Sequence, residues 1–209
     1  MIKLDPNKNV FGPDVPIWEY SQEGGRTRPI DIEISFQNLL EVKAVFDTLG
    51  IKFFLSHGTM LGVYREGDIL KHDDDIDIGL FLEDKPKMAD AMGELRARGF
   101  FVPFEGDPNK PVKGTGPDAN MPYYDFVAIK NGEKVEGWFF ELIGDSYIYD
   151  FPRCGNDLKH PRKYYDELQD YVWKGYTWKV PNHIKDWLVM MYGEKWYIED
   201  KNAKYKNQS

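Results

Sequence analysis

Cysteine is nearly absent from this 209-residue chain. Cys154 is the only one, so no intramolecular disulfide can form and no cysteine-based zinc site is available. That scarcity predicts a reducing, cytoplasmic setting. Long apolar runs are missing too: none approaches the roughly 20 residues that a membrane-spanning helix needs. The opening Met1-Ile2-Lys3-Leu4-Asp5-Pro6-Asn7 lacks the apolar centre of a signal peptide, so no transmembrane segment is expected. An excess of basic residues is also lacking. The formal net charge of -8 would repel a nucleic-acid backbone, and no nucleic-acid partner is expected. Neither internal repeats nor low-complexity tracts occur. What is present, 42% hydrophobic and 15% aromatic residues, is enough to build one core and excludes a disordered or fibrous chain.

The pattern along the chain divides it into three parts. Residues 1–29 are rich in Pro, Gly and charge without periodicity and read as an irregular N-terminal arm; residues 30–198 form the domain; residues 199–209 are a polar tail. Asp31 is a plausible N-cap for a helix whose apolar positions Phe36, Leu39, Val42 and Phe46 recur at helical spacing until Gly50. Residues 51–56 then predict a strand, 59–64 a helical turn, and 76–82 a second buried strand. Pro86 suits the first turn of a helix ending before Gly99, and 100–104 reads as a further strand. Residues 105–122 are crowded with Gly, Pro, Asp and Asn, as in a long loop. Asn131-Gly132 and Lys174-Gly175 each predict a hairpin, over 123–143 and 171–180, and Asn182 can cap a last helix running to Gly193.

Chemistry concentrates in two places. Ser56-His57-Gly58-Thr59 ends the first strand, and Asp73-Asp74-Asp75-Ile76-Asp77 opens the second. Side chains of a strand alternate, so Asp75 and Asp77 project on one face while Ile76 and Ile78 enter the core. Carboxylates this close repel one another, and beside a buried strand they need a compensating cation. Mg²⁺ or Mn²⁺, hard ions that prefer oxygen ligands and keep positions open for phosphate, suit such a pair. The strand-to-helix step at Gly58-Thr59 offers backbone N–H groups and a hydroxyl to an anion, and Arg65 is either a phosphate ligand or a partner for a nearby carboxylate. An EF-hand loop fails here, since counting from Asp73 the sixth position is Ile78 and the twelfth Asp84.

Other residues admit two readings. His57 and His72 flank the site as candidate general bases or as packing and hydrogen-bonding residues. Trp173, Trp178, Trp187 and Trp196 are either a ring platform or core residues. Lys159, His160, Arg162 and Lys163 meet a phosphate or solvate a loop.

The run from Gly58 to Arg65, with Ile69 and Asp73-Asp74-Asp75-Ile76-Asp77-Ile78-Gly79, resembles the signature of the LicD and fukutin family. The closing stretch, Asp186-Trp187-Leu188 and Tyr192-Gly193-Glu194-Lys195-Trp196, is similar to that family's C-terminal pattern. The resemblance implies an α+β fold of nucleotidyltransferase type, a mixed sheet with helices packed on one side. It also implies transfer of a phospho-substituent, phosphocholine or an alditol phosphate, from a CDP-linked donor to a glycan or other hydroxyl acceptor, with CMP leaving. By the residue match Asp75 and Asp77 are catalytic metal ligands and Asp73 an additional one, with Gly58, Thr59 and Arg65 toward the substrate. A third carboxylate is expected on a later strand, Asp125 first and Glu141 in reserve; Asp125 also suits the role of base. Lys71-His72 stands where many members carry Pro-Trp, and the membrane anchor of animal members is not expected here. Two other functions remain open: transfer of a nucleotide from an NTP, and a catalytically silent glycan-binding module.

Overall fold

The computed structural model describes residues 29–102, 112–113, 122–123, 126–149 and 158–199. The predicted N-terminal arm up to residue 28, most of the long loop, Asp125, Cys154 and the tail beyond residue 199 lie outside them.

Local chemistry sets the first helix. Helix α1 (Ile32–Leu49) starts where the Asp31 carboxylate accepts the Ile34 N–H at 3.1 Å, and it stops at Gly50, whose φ of 63° is open to glycine. Its apolar stripe of Phe36, Leu39, Val42 and Phe46 is buried. Strand β1 (Phe53–Leu55) runs into helix α2 (His57–Arg65), and strand β2 (Ile76–Phe81) follows. Pro86 sits inside a 3₁₀ turn over Leu82–Lys87, not in the first α-helical turn, and that turn leads into helix α3 (Met88–Ala97). Two short strands, β3 (Val112–Lys113) and β4 (Pro122–Tyr123), pair with each other. The strand expected over 100–104 is reduced, within the described residues, to a single bridge between Phe101 and Ile129.

Strand β5 (Phe126–Lys130) and the long β6 (Glu133–Ile143) form the first predicted hairpin, turning through Asn131 and Gly132 with φ 51° and 78°. Strands β7 (Ser146–Tyr149) and β8 (Leu158–Pro161) extend the sheet, and β9 (Gln169–Trp173) with β10 (Tyr176–Val180) make the second hairpin before helix α4 (Ile184–Tyr192). The main sheet is mixed. Strand β6 is its spine: β2 lies parallel to it from Val135 to Phe140, β5 antiparallel from Glu133 to Gly137, and β7 antiparallel on Glu141 to Ile143. Strand β1 closes the far edge antiparallel to β2.

All six residues of β2 are buried, Asp77 among them, between its neighbours β1 and β6 and against α2. At its centre Gly79 leaves room for the Phe54 ring, which a Cβ would meet at 2.0 Å. Trp173, Trp178 and Trp187 are core residues. His160 is buried, and Arg162 and Lys163 pair with Asp166 and Asp186.

Candidate active site

The acidic run enters the sheet at the leading end of β2, beside the start of α2. Asp77 is held from four directions. Its amide donates to Thr59 Oγ1 at 2.8 Å, its carbonyl accepts the Ser56 N–H at 3.2 Å, its Oδ2 accepts the Gly58 N–H at 3.1 Å, and its Oδ1 accepts the indole N–H of Trp138 at 3.4 Å. The Gly-Thr step is therefore, first of all, a clamp on Asp77. Gly58 has a second duty: a Cβ there would lie 2.3 Å from Asp73 Oδ2 and 3.4 Å from Asp77 Oδ2, so only glycine lets both carboxylates close over the helix start.

Parallel pairing of β2 with β6 brings in a residue the sequence reading missed. Asp77 stands opposite Glu136, and carboxylate oxygens of Asp75, Asp77 and Glu136 lie within 4.8 Å of one another. Asp73, Asp74 and Asp75 form a second such group. Glu136 therefore stands beside the pair, whereas Glu141 is exposed near the far end of β6 and Asp125 lies outside the described residues. A signal existed in the alternation Lys134-Val135-Glu136, which puts Lys134 and Glu136 on one face of a strand, but nothing local announced which strand would lie alongside.

Lys134 is the cation of the cluster. Its Nζ lies 2.7 Å from Asp75 Oδ2 and 2.9 Å from Glu136 Oε2. Burial pushes the Asp73 carboxyl up to about 8, with Asp75 and Asp74 adding to the effect. Burial and then Asp75 and Asp73 hold Asp77 well above the usual carboxylate range. Burial likewise raises Glu136 to about 7, with Lys134 opposing and Asp75 adding. Asp75 is the exception: burial pushes it up, but Lys134 and a hydrogen bond with Glu136 outweigh that and leave it below its ordinary value. Such a set, all oxygen donors whose charges are costly to hold together unaided, fits a hard divalent cation.

Next to the cluster lies a cavity of about 330 Å³ lined by Gly58, Arg65, His72, Asp73, Tyr192, Lys195 and Trp196, among others. Arg65 binds Glu66 through Nη2 at 2.5 Å and the Trp196 carbonyl through Nη1 at 3.3 Å, tying α2 to the turn after α4. His72 is exposed at the rim. His57 is buried, with Nε2 2.9 Å from the Tyr149 hydroxyl, and burial lowers its pKa to about 4. The structure thus gives His57 a hydrogen-bonding place in the wall behind the carboxylates.

A mixed sheet that presents a strand-borne carboxylate pair to the start of a Gly-Thr helix defines a nucleotidyltransferase-type domain. The chain belongs to the LicD/FKTN/FKRP nucleotidyltransferase domain family, whose model matches residues 50–183. Mouse (Mus musculus) ribitol 5-phosphate transferase FKRP is 25% identical over 200 residues, which cover 86% of this chain and 35% of that protein. Mouse ribitol-5-phosphate transferase FKTN is 29% identical over 161 residues, covering 72% and 34%. The chain therefore spans about a third of the length of the curated relatives it matches. Among solved structures, the antibiotic-resistance factor ANT(2'')-Ia overlays with a TM-score of 0.46 at 15% identity, over 72% of this chain and 66% of that one. No described helix is long and apolar enough to cross a membrane.

Proposed function

We propose that this domain transfers a phospho-substituent, of the alditol phosphate or phosphocholine type, from a CDP-linked donor to a hydroxyl of a glycan or similar acceptor. The observation that carries this reading is the pair of carboxylate groups, Asp73-Asp74-Asp75 and Asp75-Asp77-Glu136, that share Asp75 at the start of α2, beside a cavity carrying Arg65 and Lys195. Relatives named as ribitol-5-phosphate transferases favour the alditol form.

In this reading Asp75 and Asp77, with Asp73, would hold Mg²⁺ or Mn²⁺. When bound, that ion neutralises charge on the phosphate oxygens of the donor. The remaining work is positioning and electrostatics, which dominate phosphoryl transfer. Gly58 and Thr59 keep Asp77 aimed, the side-chain-free Gly58 leaves room for Asp73, and Arg65 and Lys195 supply fixed positive charge to the diphosphate of the donor. Asp125, just ahead of β5, is the proposed base that takes the proton from the attacking hydroxyl. The lone Cys154 supports a reducing, cytoplasmic setting.

The test is a product assay with Mg²⁺ or Mn²⁺, a panel of CDP-ribitol, CDP-glycerol and CDP-choline, candidate glycan acceptors and, separately, the four NTPs. Acceptor-dependent CMP release is the expected result. Pyrophosphate from an NTP would replace this reading with nucleotide transfer, and glycan binding without turnover would leave a silent module.

A further inference from the structure

Strand β6 sets Lys134 and Glu136 against Asp75 and Asp77 of β2. Ile76 pairs with Val135 and Asp77 with Glu136, so the Lys-x-Glu pair faces the Asp-x-Asp pair across the parallel ladder. The Lys134 ammonium spans the cluster, 2.7 Å from Asp75 Oδ2 and 2.9 Å from Glu136 Oε2, with its side chain 15% exposed. We propose that Lys134, anchored by Glu136, is a resident counter-ion that fills one side of the carboxylate cluster and limits the site to a single divalent cation. This inference rests on the metal-binding reading above.

The argument is one of charge and space. In the group formed by Asp75, Asp77 and Glu136, Glu136 and one oxygen of Asp75 already accept from the ammonium, which leaves Asp77 and the other oxygen of Asp75 to a single dication. A second dication would have to share Asp75 and Glu136 with a fixed positive charge at contact distance, where repulsion in a partly desolvated site is strong. Two-metal phosphoryl-transfer sites use a pair of ions some 3.5–4 Å apart to clamp both reacting oxygens. Here the lysine stands in the second position, as a cation that cannot dissociate. Glu136 then serves as a positioning residue for Lys134 and is not a metal ligand.

Manganese binding to the whole chain, followed by electron paramagnetic resonance and isothermal titration, tests this without reference to turnover. The wild type is expected to bind one Mn²⁺ per chain. Lys134→Met is expected to bind two, with the first roughly tenfold tighter, whereas Lys134→Arg keeps one. Glu136→Gln should leave the Kd of the single site within about threefold. Two ions on the wild type, one ion at unchanged affinity on a folded Lys134→Met, or a loss beyond tenfold in Glu136→Gln would each overturn the proposal. The wild-type and Glu136→Gln results decide it even if Lys134→Met does not fold. A wild type that takes up no Mn²⁺ at millimolar concentration instead sinks the metal reading beneath it.

Discussion

Gly58 and Asp77 form one device at the residue scale. The glycine N–H feeds one oxygen of Asp77, and the absent side chain leaves space for Asp73, whose Oδ2 lies where a Cβ would intrude at 2.3 Å. Gly58→Ala should therefore push Asp73 away while the helix start survives. The expected result is a loss of roughly tenfold or more in Mn²⁺ affinity by titration calorimetry, with far-UV circular dichroism unchanged. Asp77→Asn separates charge from shape, since the amide oxygen can still accept from Gly58. Turnover in the CMP assay should fall by at least about a thousandfold, the scale of losing a principal electrostatic group. Its thermal midpoint should hold or rise, because one member of a repelling buried set has been neutralised.

Elements rather than single residues explain the wall behind the site. Strand β8 carries His160, whose ring Nδ1 bonds the Tyr165 hydroxyl, which also accepts from Trp187 at 2.7 Å. Burial lowers the His160 pKa from 6.5 to about 3, with His57 adding a smaller push. Between those values the unfolded chain takes up a proton that the folded one refuses, so this contribution is complete above pH 6.5 and is lost as pH falls. The slope is about 1.4 kcal/mol per pH unit. Asp73, Asp77 and Glu136, with raised pKa values, act in the opposite sense, so the comparison must be with a variant. In urea unfolding, the stability gap between the wild type and His160→Gln should shrink by about 2–3 kcal/mol between pH 6 and pH 4. A gap independent of pH would mean that His160 is not held neutral.

The whole molecule stores the repulsion of its carboxylate cluster as lost stability, and a bound cation should return it. A dication at 100 times its Kd stabilises the folded state by about 2.7 kcal/mol. For a chain of about this size that is a rise in Tm of roughly 5–10 °C, reversed by a chelator. Scanning calorimetry with Mg²⁺ or Mn²⁺ and with EDTA checks it. No rise with either ion would show that Lys134 alone satisfies the cluster.

Much of the local structure was legible before any coordinates. The Asp31 cap and Gly50 stop bounded α1, Asn131-Gly132 and Lys174-Gly175 set both hairpins, and period-two alternation put Asp75 and Asp77 on a common side, because these are short-range effects of backbone sterics and side-chain spacing. Strands β7 and β8 were not foreseen, being short and irregular in pattern. The third carboxylate was sought at Asp125 and Glu141; Glu136, not foreseen, stands beside the pair because the parallel register between β2 and β6 joins residues some sixty positions apart. The sequence by itself determined which residues carry charge and which face of each strand they take. Only tertiary structure decided their partners: Lys134 on Asp75, Glu136 beside Asp77, His57 against Tyr149, since long-range pairing is set by packing of the whole sheet and leaves no local trace.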